Sequence, residues 1–495
     1  MNKKLSILAM IGMLSIFLLG TFNVPAIASE NSTTTSASTT ALPATIKLCG
    51  VFPISQRPDA GPDRRDGFLM AIDQINNQTG ADRILPVGVT LQGIVKDDNN
   101  NAAGGTAAAQ SCVSDGADLV IGSSGSTVSA AMAAVLTPLR IIQISYASSS
   151  PTLSNRTAYP YFMRNVASDA DQGIADANLV AAFGWTHGAT INTDDSYGTG
   201  LVSYFTANFE QTSGNTIDSA QTFPPGATDV SAQVQAIADA NPQFVLLHAI
   251  DNDAKTVFKK AYDLGIAGPG SDIAWVITDG SSSTATFEGD ANVKSAMQNV
   301  IGTTPTALTE SKYAEFNQSW WSVSTCGSQD PCGAARTNAN PNSYAPFAYD
   351  AVFIAAKGIA AADTVAHDQA SSDALLTALY NVSFVGAGGT VKFNSLGEVN
   401  GRFDYVTLNG GDYSTFGTWE GTPTFTAMNI TLPGNAYYAL SSNSYVKTTP
   451  PSSTSTSTTG GSSSNTSSSK TTTPGFEFIA LLFSVGTLIY LRKRK

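Results

Sequence analysis

Leu119-Val120-Ile121-Gly122-Ser123-Ser124-Gly125-Ser126-Thr127-Val128 runs from a short apolar stretch, through a Gly/Ser turn, into the start of a helical pattern. Leu119–Gly122 reads as a strand, Val128–Leu139 as a helix and Ile141–Ser145 as the next strand. Upstream, Ile46–Phe52 is an apolar strand. Arg65–Asn77 follows as a helix carrying Phe68, Leu69, Ile72 and Ile75 at helical spacing, with Gly80 as its stop. Thr90–Lys96 and Ala102–Val113 add a further strand and helix. This β-α-β-α-β-α-β order predicts a parallel sheet covered by helices on both faces. The rhythm restarts near residue 170. Helices at Gln172–Phe183, Gly200–Thr212, Ser231–Ala240 and Asp253–Leu264 alternate with strands at Ala189–Asn192, Phe244–His248 and Ile273–Thr278. Ala348–Ala362 and Ser372–Leu379 are later helices, and Thr390–Phe393 precedes a hairpin-like Phe403–Leu408. The expected fold is α/β with two lobes, each a doubly wound, mostly parallel sheet. Ligands of such sheets sit outside the carboxyl ends of the strands.

Composition narrows the function classes. The 495 residues carry 26 Lys+Arg against 38 Asp+Glu, a net charge of −12 that offers no basic surplus for a nucleic acid. Three histidines (His187, His248, His367), no HExxH and no CxxC argue against the usual catalytic zinc sites, and no GxxxxGK[ST] phosphate loop occurs. No nucleophile–base pair stands out, so the reading assigns no catalytic residue, no cofactor and no metal.

The two ends suggest export. Residues 1–28 read as a signal peptide: a basic start at Lys3-Lys4, an apolar run from Leu5 to Gly20, and Ala26-Ile27-Ala28 as the cleavage pattern. A Ser/Thr-rich linker covers 29–43. Residues 447–473 form a Ser/Thr/Gly stalk, and 474–495 a short apolar segment closed by Arg492-Lys493-Arg494-Lys495, whose charge favours the cytoplasmic side. Sequons such as Asn155 and Asn381 fit a glycosylated surface chain. Cys326 and Cys332 bracket a turn-forming loop and are expected to pair; for Cys49 and Cys112 both the free and the paired states stay open.

Segments in order along the chain carry a family resemblance. They include Asp66-Gly67-Phe68-Leu69-Met70-Ala71-Ile72-Asp73-Gln74-Ile75-Asn76, Ile121–Thr127, Ile144–Ser154, Tyr161-Phe162-Met163-Arg164, Asp195-Ser196-Tyr197-Gly198, Thr278-Asp279-Gly280 and Gly389–Phe393. Over about residues 44–410 the chain resembles the type I periplasmic binding proteins. The nearest groups are the leucine/isoleucine/valine-binding proteins and the related ectodomains of metabotropic glutamate receptors. The tail, with Pro474-Gly475-Phe476 ahead of its apolar run, resembles the archaeal PGF-CTERM sorting signal. That second resemblance implies an archaeal cell-surface protein, with an archaeosortase replacing the tail by a lipid; an ordinary C-terminal membrane helix is the other reading, and both leave an anchored, outward-facing domain.

The first resemblance implies a Venus-flytrap fold with three interlobe crossovers, near Asn165, Gly302 and Gly388. Lobe 1 would comprise 44–165 and 303–388, and lobe 2 would comprise 166–302 and 389–446. It also implies roles in the cleft. Gly122–Thr127 is open to two readings, N-capping by Ser124, Ser126 or Thr127 and an anion site at a helix start. The resemblance favours Ser126 and Thr127 as carboxylate contacts. It implies that the Ala147 carbonyl and Ser149 hydroxyl help hold an ammonium, that Tyr197 covers the ligand, and that Asp279 is the ionic partner of the amine. Asp169 either faces the cleft or N-caps the helix before Gln172, and His248 reads as a core or rim histidine. Glutamate-receptor relatives carry a basic clamp near the position of Asp63–Gly67; Arg64 and Arg65 lie close by without a secure register. A dicarboxylate is therefore disfavoured against an aliphatic or small polar amino acid, or a related amide. The expected role is an extracytoplasmic solute-binding protein of an ABC importer, with permease subunits as partners. The alternative is a sensory ectodomain or co-receptor acting through a partner protein.

Overall fold

Buried strands come first. The computed structural model describes residues 42–306, 311–322, 341–427, 429–433 and 436–450. The signal peptide, nearly all of the linker, the stalk beyond 450, the C-terminal segment and the Cys326/Cys332 pair lie outside them. Strand β1 (Thr45–Phe52) is buried along most of its length. It pairs in parallel with β2 (Thr90–Asp97) on one side and β3 (Leu119–Ile121) on the other. β4 (Gln143–Ser145) and β5 (Phe162–Arg164) complete a five-stranded parallel sheet in the order β2-β1-β3-β4-β5. Continuous apolar runs in its inner strands reflect a sheet covered on both faces.

The covering helices divide between those faces. α1 (Gly61–Asn76) packs with the long α10 (Ala345–Ala362) and α11 (Gln369–Tyr380) in one core that includes Phe68, Ile72, Ile121, Ile144 and Val352. α2 (Ala102–Ser114) and α3 (Ser126–Leu136) form the opposite core around Val51, Val120 and Met132. Cys49 and Cys112 sit there as a disulfide, which ties β1 to α2 and settles the choice left open by the sequence.

A second sheet has the order β15-β14-β13-β10-β9-β8-β6-β7. Its parallel part is β6 (His187–Thr193), β7 (Thr216–Phe223), β8 (Phe244–His248), β9 (Ala274–Ile277) and β10 (Ile301–Pro305). α4 (Asp169–Ala182) and α5 (Ser196–Phe209) cover one face; α6 (Ser231–Ala240), α7 (Asp251–Asp263) and α8 (Ala291–Ala296) cover the other. α9 (Ser311–Ser322) places Phe316 and Trp320 against Met70 of the first lobe. The hairpin β11 (Ser383–Val385) and β12 (Thr390–Lys392) precedes the antiparallel extension β13 (Phe403–Asn409), β14 (Asp412–Trp419) and β15 (Pro423–Phe425). A small antiparallel sheet of β16 (Asn429–Leu432), β17 (Ala436–Ser441) and β18 (Ser444–Thr448) docks on the second lobe through Tyr438 and Tyr445.

The two-lobed, doubly wound architecture is therefore present. Its boundaries differ from the expected ones by a few residues. Gly302 lies within β10, which stays in the second sheet to Pro305, and Val391 still packs in the first lobe's core. The last passage between lobes falls beyond Val391, in the stretch leading to β13. Lys447 and Thr448, expected in the stalk, belong to β18.

Candidate functional site

Between the lobes lies a cavity of about 290 Å³. The first lobe contributes the β1–α1 loop, the start of α3 and the segment after β4. The second contributes the starts of α5 and α7 and the turn after β9. Gly122 makes the α3 entry possible. Its φ of +132° is a glycine conformation, and a Cβ there would meet the Val51 carbonyl at 2.4 Å. The chain then enters α3 with Gly125 at the N-cap and no side chain capping the helix. The capping reading of Ser124, Ser126 and Thr127 is thus not what these residues do. Ser126 Oγ instead accepts from Ser150 N at 3.1 Å, and Thr127 Oγ1 donates to Asp195 Oδ2 of the second lobe at 3.1 Å. Uncapped N–H groups at a helix start favour an anion.

Opposite stands Asp279, in the turn after β9. Its Oδ2 accepts from Tyr344 OH at 2.5 Å and its Oδ1 from Tyr197 OH at 3.5 Å. Burial pushes the Asp279 carboxyl up, while the Tyr344 hydroxyl pulls it back. Burial and then the charge of Asp279 drive both phenols well above their ordinary range, so each stays protonated and donates. Gly280 leaves room for this contact: a Cβ on it would stand 2.3 Å from the Tyr197 hydroxyl.

A buried polar layer lies beneath. Asp169 is the first residue of α4, but Ser168 provides the N-cap, its Oγ accepting from Ala170 N. The Asp169 side chain points inward, and among the described residues neither its carboxyl oxygens nor the equally buried Ser149 Oγ beside it makes a well-formed hydrogen bond. Burial first, and the charge of Asp279 second, hold the Asp169 carboxyl well above the usual carboxylate range, and the nearby Ser149 hydroxyl opposes that rise. His248 Nε2 is 4.0 Å from Asp169 Oδ2, and its Nδ1 meets Thr278 Oγ1 at 2.8 Å. Burial depresses His248 to about 3. With the acid pushed up and the imidazole pushed down, the two are neutral neighbours rather than an ion pair. His248 is fully buried, as a core histidine, and its ring centroid stands 4.1 Å from that of Tyr197.

Of the expected residues, Ser126, Thr127, Ala147, Tyr197 and Asp279 line the cavity together, whereas Ser149 and Asp169 lie behind its wall. Sequence reading missed Arg57, Asp251 and Tyr344, and named Arg64 without placing it in the cavity. Arg57 reaches across the lobes to Asp251 at 2.6 Å while also pairing with Asp59 at 2.9 Å. Tyr344 arrives from the start of α10. Arg64 lines the cavity, donating to Asn342 Oδ1 at 3.0 Å and lying 5.2 Å from the Tyr344 ring, with no ion pair among the described residues. Arg65, the other candidate clamp, is spent on Asp66 at 2.7 Å. The signal for Arg64 was its basic charge in an otherwise apolar helix face.

The loop carrying Ala147 and Ser149 is fixed from behind by Arg164. This fully buried guanidinium donates to Ser148 O at 3.1 Å, Ser150 O at 2.8 Å and Ser154 Oγ at 2.8 Å, and pairs with Glu398 at 2.7 Å.

Residues 63–411, well over half of the chain, match the family described as the receptor family ligand-binding region. The chain belongs to that family. Glutamate receptor 3.1 of Oryza sativa subsp. japonica is 25% identical over 405 residues, covering 74% of this chain and 41% of the receptor. Human metabotropic glutamate receptor 8 is 27% identical over 256 residues, covering 45% of this chain and 28% of the receptor. The chain thus spans less than half the length of these receptors. Among solved structures, a leucine-binding protein, LivK, from Thermotoga maritima superposes with a TM-score of 0.63 at 17% identity, covering 76% of this chain and 99% of that one. That likeness shows the type I periplasmic binding protein fold. Family and fold are those of ligand-binding domains.

Proposed function

We propose that the cleft captures a small amino acid or a related amide and that the protein serves an ABC importer as its extracytoplasmic binding component. The observation that carries this reading is the division of the cavity by charge. An uncapped helix start with Ser126 and Thr127, and the guanidinium of Arg64, suit a carboxylate. Asp279, bracketed by two phenols, suits an ammonium. Asp169 and Ser149 would act from below, and the Ala147 carbonyl from the side. Among the described residues Arg64 has no carboxylate partner of its own, which extends the ligand range to acidic side chains that the sequence reading disfavoured. The match to glutamate receptors favours a second reading, a sensory ectodomain with a partner protein. A thermal-shift screen against amino acids, amides, urea and small carboxylates tests the ligand class. A ligand at 100 times its Kd stabilises the native state by about 2.7 kcal/mol. Shifts confined to amines with a carboxylate support the reading; shifts only with solutes lacking an amine contradict it. Co-purification of permease subunits with the tagged protein from its own membranes supports the importer, and recovery of a receptor kinase in their place contradicts it.

A further inference from the structure

Behind the Asp279–Tyr344 hydrogen bond lies a second cavity, of about 190 Å³. It shares Asp279, Ser343 and Tyr344 with the first cavity but is otherwise built from β10, β13, β14 and the start of α10. Its walls carry two carboxyls, Asp279 and Asp404, three aromatic rings, Tyr344, Phe347 and Tyr413, and among the described residues no Lys, Arg or His, although the charge of Arg402 acts on Asp404 from outside the walls. Asp404 is 8% exposed. Its Oδ1 accepts from Thr306 Oγ1 at 2.8 Å, while its Oδ2 has no hydrogen-bond partner among the described residues. Tyr413 OH is turned to the Ser281 carbonyl at 3.3 Å, and the Tyr344 and Phe347 ring centroids stand 5.6 Å apart. Carboxylates fix a cation by charge, and ring faces add to its attraction where water is excluded.

We propose that this chamber is a second binding site, for an alkylammonium group. The group has two possible sources: a free small amine, or the side-chain end of a basic amino acid whose α-ammonium rests on the cleft side of Asp279. The second source rests on the amino-acid reading of the cleft; the first does not. Asp404 is the chamber's own carboxylate among the described residues, because Asp279 also lines the first cavity and Asp404 does not.

The test compares the full-length protein, solubilised in detergent, with its Asp404→Asn and Asp404→Glu variants, each first shown to melt cooperatively. Titrations use L-lysine against L-norleucine, and melts use methylammonium chloride against equal sodium chloride. Lysine binding at least tenfold tighter than norleucine, with the gap closed by Asp404→Asn and kept by Asp404→Glu, supports the side-chain source. A methylammonium-specific rise in melting temperature with the same dependence on residue 404 supports the free amine. Should no amino acid bind while methylammonium does, the cleft reading fails and the chamber stands. Equal affinities for lysine and norleucine with no methylammonium shift overturn the proposal, as do effects that persist in Asp404→Asn.

Discussion

At the residue scale the buried acids set the chemistry. Asp169 has a folded pKa raised above its unfolded value, so the folded state holds the proton longer and this group's contribution to stability is lost as pH rises from about 4 toward that raised value. His248, depressed to about 3, acts in the opposite sense, its cost growing as pH falls below about 6.5. Their separate effects are therefore best read by difference. Asp169→Asn should gain stability relative to wild type as pH rises from 4 to 7, because the variant has no buried charge to create. Chemical denaturation at each pH measures this, and parallel pH profiles for the two proteins would contradict it. Arg164 predicts the opposite balance: Arg164→Ala leaves Glu398 buried without its partner and should cost about 3–5 kcal/mol, seen as a loss of that size in the same denaturation experiment. The site was partly legible in the sequence. Asp279 and Tyr197 were picked out by the family resemblance, on the segments Thr278-Asp279-Gly280 and Asp195-Ser196-Tyr197-Gly198. Tyr344 was not, because it reaches Asp279 from 65 residues away by tertiary packing alone. The capping reading of Asp169 fails because the cap is its neighbour Ser168, one residue earlier at the same helix start.

At the element scale, local pattern and long-range tether divide the work. Most of the β-α alternation from residue 45 to 277 was legible because most of its strands hold apolar runs and its helices carry a 3.6-residue stripe; β5 and β7 were missed, β5 for its shortness and β7 because only two of its eight residues are buried. The β14–β18 strands were not legible either. Their alternate residues face solvent, and what fixes them is an aromatic layer of Phe416, Phe425, Tyr438 and Tyr445 assembled from distant segments. Two tethers add to the packing of their elements. The Cys49–Cys112 disulfide closes a 63-residue separation, so replacing both cysteines by serine should cost about 2–5 kcal/mol in a melt under oxidising conditions. A wild-type melt unaffected by reductant would contradict that cost. Asp350, on α10, accepts from Ala387 N at 2.9 Å and Gly388 N at 2.6 Å, and burial lifts its carboxyl to about 7. Asp350→Ala leaves those two buried amides unmet and should lower stability by about 2 kcal/mol or more, measured by urea denaturation.

At the scale of the whole molecule, the lobes meet directly. Arg57 to Asp251, Thr127 to Asp195, Ser150 to Ser196 and Tyr344 to Asp279 all join one lobe to the other around the cavity. A closed arrangement with so many protein–protein contacts has less need of ligand to hold it. Arg57→Gln removes the most buried of these pairs, so the variant without ligand should have a larger radius of gyration in small-angle scattering than wild type and contract to the same value with ligand. Identical profiles without ligand would show that closure does not depend on that pair. In the proposed function, Asp279 turns this closed cavity into an amine site. Calorimetry of wild type and Asp279→Ala, with whichever amino acid stabilises the wild type most, tests it directly. Removing the carboxylate should cost about 2 kcal/mol or more in binding free energy, close to a thirtyfold rise in Kd. An unchanged Kd in a folded variant would remove Asp279 from the site and, with it, the assignment of the ligand as an amine.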